Sequence, residues 1–139
     1  MPPKHLVQGV VLIAERDRSV RDLQAHFLDQ AGFAVEFVDD GEAALTRARL
    51  IAPAAVVAEI MIPKIDGLTL CRRLSEDPLT RFVPVVIFSI LSAAARAQDA
   101  GATAFLRKPI VGSVFIATLQ QLIAANSNEL KEQKWASQQ

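Results

Sequence analysis

Cysteine is almost missing from this chain: Cys71 is the only one in 139 residues. A lone thiol excludes an intramolecular disulfide framework and fits a reducing compartment. Net charge is missing as well, since 15 Lys and Arg face 15 Asp and Glu. A neutral chain exerts no general pull on a phosphate backbone or an anionic bilayer, which argues against nucleic acid and membrane as partners. Long hydrophobic runs are absent: Val10–Ala14 is among the longest, against the ~18–20 residues of a membrane span. The opening MPPKHLVQG has one Lys and too short an apolar stretch for a signal peptide. A cytoplasmic location is therefore expected. No repeat recurs at solenoid spacing.

What is present is a globular composition, with 51% apolar and 22% charged residues. The length predicts one domain with one real core. Val10–Ala14 is apolar throughout and rich in β-branched residues, which predicts a strand buried on both faces. Asp17 stands just before a helix and reads as a cap or dipole partner, with a replacement metal ligand as the alternative. Ser19 and Asp22 have capping-box spacing. Val20, Leu23, Phe27, Leu28 and Ala31 follow at helical spacing, and Gly32 ends the helix. The cycle then repeats. Strands are predicted over Phe33–Val38, Ala54–Ala58, Pro84–Phe88 and Ala102–Arg107. Helices are predicted over Glu42–Ile51, Leu68–Ser75, Ser92–Ala100 and Val111–Ala125, the last with Val114, Phe115, Thr118, Leu119, Leu122 and Ile123 as its apolar face. Residues 1–9 form a lead, 10–125 the domain, and 126–139 a polar extension or tail holding Trp135.

Strands alternating with helices imply βαβ units, a parallel sheet and helices on both faces. In such folds the functional crevice lies beyond the carboxyl ends of the strands. The residues there are Glu15-Arg16-Asp17, Asp39-Asp40, Glu59, Ser89 and Lys108. A nucleotide site is disfavoured, because the first of these loops has no glycine and opens on a carboxylate that repels phosphate. Two carboxylates, a hydroxyl and an ammonium suit acyl-phosphate chemistry instead: an acid attacks, acids hold magnesium, and Lys and hydroxyl receive phosphoryl oxygens. His5 and His26 lack a partner at ligand spacing, and Cys71 reads as a small buried hydrophobe.

At this point a family resemblance is plain. Ile62-Pro63-Lys64-Ile65-Asp66-Gly67 resembles the Met-Pro-x-Met-Asp-Gly loop of the receiver domains of two-component response regulators, the CheY-like family. Lys108-Pro109, Asp40-Gly41-Glu42-Ala43-Ala44-Leu45 and Gly101-Ala102 are similar to further stretches of that family, from about Val10 to Ile123. The resemblance implies a flavodoxin-like three-layer sandwich, with a five-stranded parallel sheet in the order 2-1-3-4-5 and five helices. It implies a cis peptide before Pro109. It implies a non-enzymatic, stand-alone signalling domain. Its partner would be a histidine kinase or a downstream protein, met on the helix 4–strand 5–helix 5 face, or a second copy through the same face.

The site positions depart from the family. The phospho-acceptor Asp falls on Glu59, and the acidic pair falls on Glu15 and Arg16. Ser89 and Lys108 are retained, the switch aromatic is Phe105, and bulky Ile90 follows Ser89. Ser89–Lys108 is about one turn short, which points at the fourth helix. Glu59 is one methylene longer than Asp, and in-line attack depends on placement. Arg16 offers magnesium no ligand and repels it. No cofactor is therefore expected, with Mg2+ only if the altered site still works. Arg16 or Lys108 is expected to pair with Glu59 in place of the ion, in a pocket whose four charged positions sum to zero. Ile90 is expected to crowd Phe105 into one rotamer. The alternatives are phosphate acceptance on Glu59 and a small-molecule or enzymatic role on the same scaffold.

Overall fold

The structure, a computed structural model, describes residues 8–137, with side chains only as far as Leu130 in the last helix. His5, the first seven residues of the lead and the Trp135 side chain lie outside the described residues. The strands are β1 (Val10–Ala14), β2 (Ala34–Val38), β3 (Ala55–Ala58), β4 (Val85–Ser89) and β5 (Ala104–Arg107). The helices are α1 (Arg18–Gln30), α2 (Gly41–Ile51), α3 (Gly67–Glu76), α4 (Ala94–Asp99) and α5 (Gly112–Ser137). All pairings are parallel, in the order β2-β1-β3-β4-β5. The expected flavodoxin-like sandwich is thus the observed one.

Successive side chains of a strand point to opposite faces, and this divides the core in two. Leu12, Ala14, Val56, Ala58, Val85 and Ile87 pack with Ala44, Ala48, Leu70, Leu74 and Ala97 of α2, α3 and α4. Val11, Ile13, Ala55, Val57, Val86 and Phe88 pack with Leu28 of α1 and Phe115 and Leu119 of α5. The apolar runs that carry no alternation in sequence are the strands covered on both sides.

Helix boundaries differ from the sequence reading in instructive ways. Asp17 caps α1, its side chain accepting from the Ser19 and Val20 N–H groups at 2.9 and 3.2 Å. The Ser19 capping box does not form, because Ser19 already lies inside the helix. That start turns Gln24, rather than Leu23, toward the sheet: Gln24 is fully buried and Leu23 is 46% exposed. Gln24 stands one turn before Leu28, on the stripe that the period of 3.6 carries inward. In α5, Phe115 and Leu119 are buried, but Val114 is exposed. The helix also continues past Ala125 to Ser137. α4 has only six residues. No described helix is long and apolar enough to cross a membrane.

Candidate functional site

Two glycines bring the strand-end loops together. A Cβ on Gly67 would stand 2.3 Å from the Glu59 carbonyl oxygen, and one on Gly41 would stand 2.2 Å from the Ile65 carbonyl oxygen. Only glycine permits these approaches. The Gly67 N–H donates to the Ile60 carbonyl at 2.8 Å, closing the β3–α3 loop on itself. The Gly41 N–H donates to the Pro63 carbonyl at 3.2 Å, so the start of α2 holds the same loop. Asp66 caps α3 through the Thr69 N–H. The Asp-Gly pairs seen in the sequence are therefore the clamps that set Glu59 at the end of β3.

Glu59, Glu15, Ser89 and Lys108 meet above the sheet. The Lys108 ammonium bridges two buried carboxylates, 2.8 Å from Glu15 Oε1 and 2.9 Å from Glu59 Oε2. The other Glu59 oxygen, Oε1, accepts from the Ile60 N–H at 2.7 Å and from the Ser89 hydroxyl. The Met61 N–H points at the same oxygen from 3.4 Å. Ser89 Oγ in turn accepts from the Leu91 N–H at 3.2 Å. Glu15 Oε2 accepts from the Asp17 N–H at 3.1 Å. The peptide between Lys108 and Pro109 is cis, as the resemblance implies.

Burial by itself pushes the Glu59 carboxyl up. The Ser89 and Lys108 hydrogen bonds, the Lys108 charge and the Ile60 N–H outweigh it and hold the carboxyl below its ordinary value. Burial pushes the Lys108 amine down, but its bonds to Glu15 and Glu59 and their charges hold it above the ordinary value. Both groups stay charged at neutral pH. Cys71 is buried in α3, and desolvation pushes its thiol up to about 11. It behaves there as a small hydrophobe.

Arg16 takes no part in this cluster. It is exposed and lines the mouth of a cavity of about 810 Å³ over the strand ends. Of the two cations expected against Glu59, Lys108 is the one that pairs. Buried Glu15 and Glu59 with partly buried Lys108 carry one net negative charge, and Arg16, lining the same cavity, brings the four charged positions to zero. Asp17 also lines the cavity, but its Oδ1 is occupied as the α1 cap. Ile90 is 56% exposed and lines the same cavity. Phe105 is half-buried and packs against the core on the α4 side. His26 is exposed and stacks edge-on against Phe27.

Three contributors escaped the sequence reading. The Ile60 and Met61 amides leave no trace in residue identity. Arg21, in the first turn of α1, reaches back over the ends of β1 and β2, and only its place one turn after the strand-end loop hints at this.

Residues 11–120 match the family model described as response regulator receiver domain. The chain belongs to that family. It is 32% identical over 116 residues to response regulator PleD of Caulobacter vibrioides, covering 81% of this chain and 25% of that protein. It is 34% identical over 119 residues to response regulator MprA of Mycobacterium sp. (strain KMS), covering 84% of this chain and 51% of that protein. The chain thus spans a quarter to a half of these relatives. Among solved structures, a putative response regulator from Chloroflexus aurantiacus superposes with a TM-score of 0.80 at 29% identity, covering 84% of this chain and 98% of that one. The signal receiver domain of a histidine kinase from Syntrophus aciditrophicus gives a TM-score of 0.78, also at 29% identity, over 84% of this chain and 91% of that one.

Proposed function

We propose that this receiver domain works in two-component signalling by protein contact alone, without phosphorylation at the acceptor position and without a bound magnesium ion. One observation carries the reading: both oxygens of Glu59 are already engaged, one by the Ser89 hydroxyl and the Ile60 N–H, the other by Lys108. A nucleophile must be free and aligned for in-line attack. Ser89 and Lys108 are the groups that would receive phosphoryl oxygens, and here the Glu59 carboxylate occupies them. An ammonium between two carboxylates also takes the place a divalent ion would need. The domain is then held in one signalling state by its own side chain. No catalytic activity is part of this reading.

The proposed partner is a histidine kinase or a downstream signalling protein, or a second copy, in the cytoplasm. The surface is the face made by α4, β5 and α5. Phe105 and Leu106 of the edge strand are half-buried there, and Val114 of α5 is exposed. Beryllofluoride with magnesium, followed by amide NMR, tests the central claim. The expected result is no saturable shift at Ile60, Met61 or Ser89. A saturable, magnesium-dependent shift there overturns it in favour of phosphate acceptance on Glu59.

A further inference from the structure

Glu15 is the residue just past β1, and little in the sheet holds it. Its N–H reaches the Val38 carbonyl at 3.4 Å, a long ladder bond. Arg21 supplies what the ladder lacks. Its Nε donates to the Glu15 carbonyl oxygen. Its Nη2 donates to the Val38 carbonyl at 3.0 Å and to Asp39 Oδ1 at 2.6 Å. The guanidinium carbon lies 5.1 Å from the Phe37 ring centroid, within cation–π range. One planar fork therefore ties the carboxyl ends of β1 and β2 to the first turn of α1.

We infer that Arg21 is a positioning residue for the charged cluster: by holding the Glu15 backbone it aims the Glu15 carboxylate at Lys108. Glu15 is one of the residues that line the cavity of about 810 Å³. Once its peptide is free to turn, Glu15 has open space to swing into and water to solvate it. Lys108 then keeps Glu59 alone. The two carbonyl bonds carry the effect. Asp39 does not, because its side chain is 82% exposed and surface ion pairs contribute little. Lys cannot replace Arg here, since one ammonium cannot span two carbonyls in a fixed fork.

This inference rests on the reading of Lys108 as the bridge between both carboxylates. Through-hydrogen-bond couplings from Lys108 Nζ to Glu15 Cδ and to Glu59 Cδ, on isotope-labelled protein, read each half of that bridge separately. In the wild type both couplings are expected. Arg21→Gln and Arg21→Lys are expected to lose the Glu15 coupling and keep the Glu59 coupling. Asp39→Asn is expected to keep both, which guards against a merely structural effect of disturbing that loop. Retention of the Glu15 coupling in Arg21→Gln overturns the inference, as does loss of both couplings together, which would mean general loosening. A wild type with neither coupling refutes the bridge itself and the phosphorylation-independent reading with it.

Discussion

Lys108 Nζ stands 2.9 Å from Glu59 Oε2, deep enough that neither side chain is more than 12% exposed. Removing the cation should therefore cost far more than the loss of one contact. Lys108→Met leaves two buried carboxylates without their counter-charge. Breaking a buried pair costs about 3–5 kcal/mol, and partial solvent access through the cavity places the expected loss at the lower end. Urea unfolding at neutral pH checks this. A midpoint within error of the wild type would show that the bridge is solvated.

The same pair predicts the pH profile of stability. Glu59 is held below its ordinary value, so its contribution is complete above about pH 4.3 and is lost as pH falls through the lower folded value. Lys108 is held above its ordinary value. Its contribution is complete below about pH 10.4 and is lost as pH rises through the higher folded value. Urea midpoints across this range should trace a plateau with two limbs. Glu59→Gln should flatten the acid limb, and Lys108→Met should remove the alkaline one.

Repair of the phosphate site should need two changes. Glu59→Asp shortens the acceptor but leaves Arg16 where the family has an acid, so it should not bind beryllofluoride with magnesium. Arg16→Asp combined with Glu59→Asp restores a second carboxylate beside Glu15 and should bind it. Titration followed by amide NMR distinguishes the two proteins. A silent double variant would mean that these two side chains are not what disables the site.

Gln24 is fully buried, and neither its amide nitrogen nor its oxygen has a partner among the described residues. An unsatisfied buried polar group costs about 1–3 kcal/mol. Gln24→Met or Gln24→Leu should raise stability by about 1 kcal/mol or more, measured by thermal or urea unfolding. A destabilised variant would point to a bridging water at Gln24.

Gly67 predicts the opposite. With its Cβ position 2.3 Å from the Glu59 carbonyl oxygen, Gly67→Ala must displace the β3–α3 loop. Forced overpacking of this kind costs about 1–3 kcal/mol. It should also move the Ser89 and Lys108 resonances, because the shifted backbone is that of Glu59. A change confined to α3 would contradict this.

The sheet was legible in the sequence because burial on both faces demands unbroken apolar runs. Val10–Ala14 and Val85–Phe88 could be read directly, and Gly41, Gly67, Asp40 and Asp66 carried the loop clamps in their identities. The sequence also determined which groups stand at the strand ends, since Glu15, Glu59 and Lys108 each follow a strand immediately and Ser89 is the last residue of β4. It could not decide which of two cations answers Glu59, because Arg16 and Lys108 are equal as charges. Tertiary structure chose Lys108, which enters from the end of β5 between the carboxylates that follow β1 and β3, while Arg16 stays exposed beside the cavity. Nor could spacing show that Gln24 faces inward in place of Leu23, since the two differ by one residue and the cap at Asp17 sets the phase of α1. The residues were legible one at a time. Their partners were not, because an ion pair is a distance in space between atoms that the chain keeps 49 or 93 positions apart.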